Sequence, residues 1–250
     1  MIYDLGQPLY AGMPHFPAHP PFLFCLNKLH GELVLENGAS SSAETITLGG
    51  HVGTHIDALS HFSCDGKLHG GITPTQSYSG GIKEHAVDTI APILRPGVLF
   101  DVAGLMDVDA LAEDFIVTPE HLEACGAQPA SGGIALIRTG WGRFWNDAKR
   151  FITGGQGAIP RGPGPTLPAA RWLSERGIFA AGSDTVAFEH VPSGMEVHVH
   201  LLVEKGIHII ECLDLELLAR DKVKNFQFIA LPLKLAGGTG SPIRPVAIPN

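Results

Sequence analysis

Five short apolar runs, Gly97 to Val102, Ile134 to Ile137, Ile178 to Ala181, Ile207 to Glu211 and Phe226 to Leu231, read as buried strands and constrain the fold more than any other feature. Helix-compatible stretches separate several of them. Thr118-Pro119-Glu120 supplies a capping residue, a proline at the first helical position and an early acid, with a stop near Gly126. Pro168 to Arg176 reads as a second helix closed by Gly177, and Val197 to Lys205 carries helical apolar spacing up to Gly206. Strands that alternate with helices pair in parallel over part of a sheet, so the expected fold is α/β, a mixed sheet with flanking helices. The first quarter is rich in Gly and Pro and reads as loops and antiparallel strands.

At 250 residues the chain can build one large core or two small ones, and no repeat, charge run or low-complexity linker marks a boundary. A single domain over residues 1–250 is the expectation. The chain opens without a basic stretch leading into an apolar one, and nowhere runs apolar for about 18 to 20 residues. A soluble, cytoplasmic protein with no membrane partner is therefore expected. A net charge of −8 excludes the concentrated basic face that nucleic-acid binding needs. Cys25, Cys64, Cys125 and Cys212 have no CxxC spacing, so no zinc knuckle or redox pair is indicated. They are expected to be reduced and mostly buried, with Cys64, three residues past His61, able to line a site.

The chemistry concentrates in His51-Val52-Gly53-Thr54-His55-Ile56-Asp57-Ala58-Leu59-Ser60-His61. His51 and His55 are four apart, so a helical turn or a tight loop brings both rings to one point. Gly49, Gly50 and Gly53 favour the loop. Asp57 offers two oxygens that hold one ion or bridge two, and neutral imidazole suits zinc, manganese or iron. His61 is either a further ligand or a free group for proton transfer, because imidazole titrates near neutrality. Three ligands, His51, His55 and Asp57, match the number that catalytic sites use while leaving a position open, whereas a fourth from His61 would describe a closed structural site. Downstream, His198 and His200 lie in the expected helix and Glu211 at the end of the strand that follows it, where open α/β sheets bind ligands. His69 and His85 read as solvated loop residues, and His208 as a hydrogen-bonded core residue.

The run His51-x-Gly-Thr-His55-x-Asp57-Ala-x-x-His61 resembles the signature of the cyclase-like metal hydrolases, the group containing bacterial kynurenine formamidase and isatin hydrolase. The likeness extends through Asp4-Leu5, the prolines around Gly12-Met13-Pro14, Thr139-Gly140-Trp141, Gly182-Ser183-Asp184, and His198-x-x-Leu201-Leu202 followed by Gly206-Ile207 and Glu211. The resemblance implies the family's swivelling β/β/α fold. It further implies that His51, His55 and Asp57 bind a divalent metal, Zn or Mn, as one or two ions. A second ion would be shared by Asp57, His198 and Glu211, with His61 as the catalytic acid/base. Two departures stand out. Leu59 replaces the family's usual proline, and the stretch from His198 to Glu211 is one residue longer than in the short formamidases, which lets His200 compete with His198.

The implied reaction is metal-dependent hydrolysis of a non-peptide C–N bond in a small-molecule amide. A cyclic amide, lactam or isatin-like, is favoured, with arylformamidase action on N-formylkynurenine as the alternative and a structural metal without catalysis as the alternative of another class. Phe16, Phe22, Phe62, Trp141 and Phe188 are the candidates for an apolar substrate wall. The proline-rich segment from Met13 to Phe22 is the expected lid or subunit contact, and the Gly/Pro-dense stretch Thr153 to Pro165, containing Arg161, a long surface loop. A homodimer or higher homo-oligomer is expected.

Overall fold

Alternation of apolar side chains along the strands sorts them onto two faces, and each face is covered. A computed structural model describes all 250 residues. Its main sheet has nine strands: β1 (Tyr3–Asp4), β2 (His55–Asp57), β3 (Ile93–Asp101), β4 (Ile134–Arg138), β5 (Ala180–Ser183), β6 (His208–Glu211), β7 (Asn225–Ala230), β8 (Gly240–Pro242) and β9 (Val246–Pro249). Their order across the sheet is β1-β9-β7-β3-β4-β5-β6-β2-β8. The middle four, β3, β4, β5 and β6, pair in parallel, and antiparallel strands extend the sheet on both sides. This is the mixed α/β sheet expected from the strand and helix pattern.

On one face Val98, Phe100, Ala135, Ile137, Ala181 and Ile209 pack in a core of 23 buried residues. Three helices contribute to that layer: α1 (Pro119–Ala124), α2 (Leu167–Glu175) and α3, which makes one α turn at Glu196–His198 and continues as a π-helix over Val199–Lys205. A π turn closes its hydrogen bonds over one residue more than an α turn. Gly206 ends it in the left-handed region, at φ 67°. On the other face Leu99, Ile134, Leu136, Ala180, Ile210, Phe226 and Phe228 form a second core. A third, smaller cluster joins Met13 and Phe22 to Val52, Trp145, Phe151 and Cys212. It fixes the proline-rich entry segment beside the end of β6.

Several boundaries differ from the sequence reading. β5 begins two residues later than Ile178, because the chain still turns there after Gly177, and Gly182 and Ser183 pair with Leu136 and Ile137. The stretch His55–Asp57, expected in a loop, is a strand between β6 and β8. Ile56 points into the second core, so His55 and Asp57 share the opposite face. Cys25 and Cys64 are exposed, against the expectation of mostly buried thiols, while Cys125 and Cys212 are buried. The Thr153 to Pro165 stretch is mostly loop, with Gly164–Pro165 pairing in parallel with Ile116–Val117. No helix is long and apolar enough to cross a membrane.

Candidate active site

The register of three strands assembles the site. Glu211 of β6 lies opposite His55 of β2, and Ile209 opposite Asp57. Gly240 of β8 lies opposite Asp57 on the other side. Just before β2 the chain turns at Gly53, whose φ of +75° places it in the left-handed region. Gly240 is required for another reason: a Cβ there would stand 2.5 Å from His51 Cε1.

Hydrogen bonds through the ring nitrogens orient His51, His55 and His198. His55 Nδ1 lies 2.8 Å from the carbonyl oxygen of Gly53 and therefore carries the hydrogen, which turns Nε2 towards Glu211 Oε2 at 3.4 Å and Asp57 Oδ1 at 3.5 Å. His51 Nδ1 is 2.7 Å from Asp57 Oδ1, and its Nε2 is 2.9 Å from Thr239 Oγ1. His198 places Nε2 3.2 Å from Glu211 Oε1 and 4.0 Å from Asp57 Oδ2. His61 stacks on His51 with ring centroids 3.8 Å apart and makes no hydrogen bond through its ring. Glu211 also accepts the Phe188 backbone N–H at 2.7 Å.

Two buried carboxylates among imidazoles set strong fields. Burial pushes Asp57 up, but His61, His51 and His55 outweigh it and hold the carboxyl well below the usual range. Burial also opposes ionisation of Glu211, yet its bonds to His198 and His55 bring it down to about 2. His198 is raised to about 10, because its contacts with Glu189 and Glu211 overcome desolvation. His55 is raised for the same reason, through Glu211 and Asp57 against burial. His61 goes the other way: burial, aided by His51 and His198, pulls it down to about 4, so it is neutral at pH 7.

The residues fit a divalent cation. Ligand atoms of His55, Asp57 and Glu211 lie within 4.8 Å of one another, as do those of His51, Asp57 and His61. Asp57 Oδ2 is buried with no hydrogen-bond partner, a cost that an ion at this position would remove.

The structure brings together His51, His55, Asp57, His61, His198 and Glu211. His200 is turned away, its Nδ1 2.7 Å from Glu204 and its Nε2 3.0 Å from Ser174 on α2, so His198 is the one that meets the carboxylates. Of the expected aromatic wall, Phe62 stands with its ring 4.9 Å from both His61 and His198. Phe16 reaches the cluster only through His19, at 6.0 Å. Phe22, Trp141 and Phe188 are buried in packing and do not wall the site; the Trp141 indole donates to Leu111 O, and Phe188 is wholly enclosed by the helix-side core. Cys64 sits on an exposed turn with Lys67. His69 and His85 are half-buried and bonded to the main chain rather than fully solvated: His69 Nδ1 lies 2.9 Å from Val203 O and His85 Nε2 3.1 Å from His69 O. His208 is the expected bonded core residue, its Nδ1 2.8 Å from Asp57 O.

Three residues at the site had not been singled out. His19, in the proline-rich segment, stacks on His51 at 5.1 Å. Thr239 and Glu189 come from distant parts of the chain, and no spacing in the sequence ties them to the histidines. Asp184 and Thr139, both noted in the resemblance, meet deeper in the fold. There Asp184 accepts the Thr139 N–H and hydroxyl and the Gly140 N–H, while burial pushes its carboxyl up to about 6.

The sheet and helices are those of cyclase-like hydrolases: a solved structure described as a novel cyclase matches with a TM-score of 0.88 and 26% identity, over 99% of this chain and 88% of that one. The profile of the family described as "Putative cyclase" matches residues 3–190, and the chain belongs to that family. It is similar to isatin hydrolase of Roseibium aggregatum, 30% identical over 209 residues, which is 81% of this chain and 73% of that protein. It is also similar to kynurenine formamidase of Bacillus mycoides, 28% identical over 247 residues, covering 98% and 96%. Isatin hydrolase A from Ralstonia solanacearum shares the fold at a TM-score of 0.75 and 26% identity, over 99% of this chain and 91% of that one.

Proposed function

We propose that this protein is a metal-dependent amidohydrolase that opens an uncharged cyclic amide, lactam or isatin-like, with arylformamide hydrolysis as the alternative. The observation that carries the hydrolase reading is the orphaned Asp57 Oδ2 facing His198, within a buried ring of imidazoles and carboxylates. His51, His55, Asp57, His198 and Glu211 would hold one or two ions, zinc or manganese. When bound, such an ion polarises the scissile carbonyl and makes water more acidic. His61 is neutral at pH 7 with both ring nitrogens free of protein partners, as a group must be that takes a proton from water and delivers it to the leaving nitrogen. Amide nitrogen departs poorly until protonated, so this delivery is the step that His61 serves. Phe62, beside both His61 and His198, offers an apolar flank for a planar ring.

The side chains at the site favour the cyclic substrate. The charged groups acting most on His19 and His61 are His51, His55, His198, Asp57 and Glu211, with no lysine or arginine among them. The amino-acid carboxylate of N-formylkynurenine would thus find no basic side chain of that kind to seat it apart from the ion itself. A neutral cyclic amide needs no such partner. The test is turnover of isatin, a bicyclic γ-lactam and an aryl formamide by metal-loaded protein, each with a chelator-treated control. Chelator-sensitive opening of a cyclic amide supports the reading; formamide turnover alone moves the assignment to the alternative, and bound metal without any turnover to a structural site.

Metal uptake by this site is expected to be strongly pH-dependent. In the ion-free fold His198 is raised to about 10 and so holds a proton at neutral pH, which an ion must displace from Nε2. Affinity therefore rises with pH, by about tenfold per unit for each proton released. Calorimetric titration in buffers of different ionisation enthalpy measures the number released. A pH-independent affinity between pH 6 and 8 would contradict the assignment of His198 to the ion.

A second copy of the chain is the proposed macromolecular partner. The hairpin of Leu23–Lys28 and Ala43–Thr47 exposes Leu23, Phe24, Leu26 and Ile46, and alternation along the strands puts Phe24, Leu26 and Ile46 together on one apolar face. A two-stranded hairpin is marginal in water without a covering layer. Phe24→Glu is expected to shift the solution mass, read by light scattering, from a dimer or larger assembly to a single chain. A wild-type mass of one chain would remove this proposal.

A further inference from the structure

Glu189 is buried to 1% exposure and lies outside the ring of proposed ligands. Its Oε2 accepts the His198 backbone N–H at 2.9 Å and faces His198 Nδ1 at 2.6 Å. Its Oε1 accepts the Ser193 hydroxyl at 2.8 Å. One carboxylate oxygen thus ties the main chain and the ring of the same residue, which fixes the direction of the imidazole.

An ionised carboxylate only accepts, so the hydrogen of this contact belongs to Nδ1. That leaves Nε2 as the atom presented to Glu211 Oε1 and Asp57 Oδ2. His55 is oriented differently, with its Nδ1 held by the neutral carbonyl of Gly53. A carboxylate behind an imidazole both locks it and makes it the stronger ligand, more so than a carbonyl does. The two halves of the site therefore differ in what stands behind them.

We propose that Glu189 is a positioning residue that orients His198 and so sets the affinity of the ion position shared by His198, Glu211 and Asp57, separately from the position built on His55. This rests on the metal-site reading above. The separation follows from the contacts: Glu189 bonds to His198 and Ser193 and to none of His51, His55 or Asp57.

The experiment is a titration of metal-free wild type and Glu189→Gln with Zn²⁺ in competition with a chromophoric chelator, which reads the affinity of each ion without reference to activity. Wild type takes up two ions. In Glu189→Gln one of the two ions, assigned to the position shared by His198, Glu211 and Asp57, loses about 10- to 100-fold in affinity, the other stays within about twofold, and Glu189→Asp recovers part of the loss. Unfolding curves of the ion-free proteins confirm that the variants fold. If Glu189→Gln does not fold, Ser193→Ala is titrated instead, with a smaller loss expected at the same ion. Unchanged affinity for both ions, or an equal loss of both, overturns the proposal. A wild type that holds one ion also overturns it while leaving single-ion hydrolysis standing, whereas a wild type that holds none overturns the proposed function itself.

Discussion

His61→Asn is expected to lower kcat by about 10²- to 10⁴-fold, the range for loss of a positioned acid/base, while the bound metal stays unchanged. The reasoning starts from what His61 lacks. Its neighbours His51, His55 and His198 each have a ring nitrogen held by a side chain or carbonyl within 2.8 Å, whereas neither nitrogen of His61 bonds to the protein. Its ring lies flat on His51 and edge-on to Phe62, so packing alone positions it and both nitrogens stay open to substrate and water. Burial keeps it neutral at pH 7, the state that accepts a proton. Asparagine fills similar space and hydrogen-bonds but cannot shuttle a proton, so KM should change little. Metal analysis and turnover on the same preparation check the prediction. If the metal is lost together with stability, His61 is a fourth ligand beside His51, His55 and Asp57, and the structural-metal reading gains.

The part of this site legible in the sequence is the part that needs no long-range information. His51, His55, Asp57 and His61 are close in the chain, and strand geometry puts His55 and Asp57 on one face once Ile56 is committed to the core. Glu211 was legible as a strand end because parallel strands carry ligands at their carboxyl ends. Thr239 and Glu189 were not, because only sheet closure by β8 and the turn before α3 deliver them. The choice between His198 and His200 was also out of reach. It depends on Ser174 of α2 and on Glu204, which hold the buried His200 away from the carboxylates. The aromatic wall failed for a related reason: a phenylalanine next to a functional residue need not share its direction. Phe188 adjoins Glu189 yet turns into the core, lending the site only its backbone N–H.

The fold shows the same division. β3, β4, β6 and β7 were legible because buried strands of a parallel or mixed sheet are apolar runs. β2 was not, since two of its three residues are polar and the stretch before it is rich in glycine, with Gly49, Gly50 and Gly53. Its place between β6 and β8 follows from Ile56 filling the second core and from the main-chain pairing on both sides. Chemistry and architecture compete at this strand, and the polar pair hid the strand signal.

Asp57→Asn carries the larger expected effect: loss of ion binding at both halves of the site and a fall in kcat/KM on the order of 10⁴-fold or more, as several kcal/mol of transition-state stabilisation disappear. Asp57 is the one carboxylate that meets all three of His51, His55 and His198, with Oδ1 at 2.7 Å from His51 and 3.5 Å from His55, and Oδ2 at 4.0 Å from His198. An amide cannot replace it. Its oxygen carries no full charge, and its NH₂ group, placed at Oδ2, would point a donor at the position a cation should occupy. If the NH₂ faced His51 instead, it would meet a nitrogen already serving as donor. Substitution at Glu211, which meets only His55 and His198, should leave residual binding through His51 and Asp57. Equilibrium dialysis of Asp57→Asn and Glu211→Gln beside wild type, with circular dichroism to verify the fold, distinguishes the two. An Asp57→Asn protein that keeps a full complement of metal would show that the ion is held elsewhere and that the buried Asp57 Oδ2 answers to some other ligand.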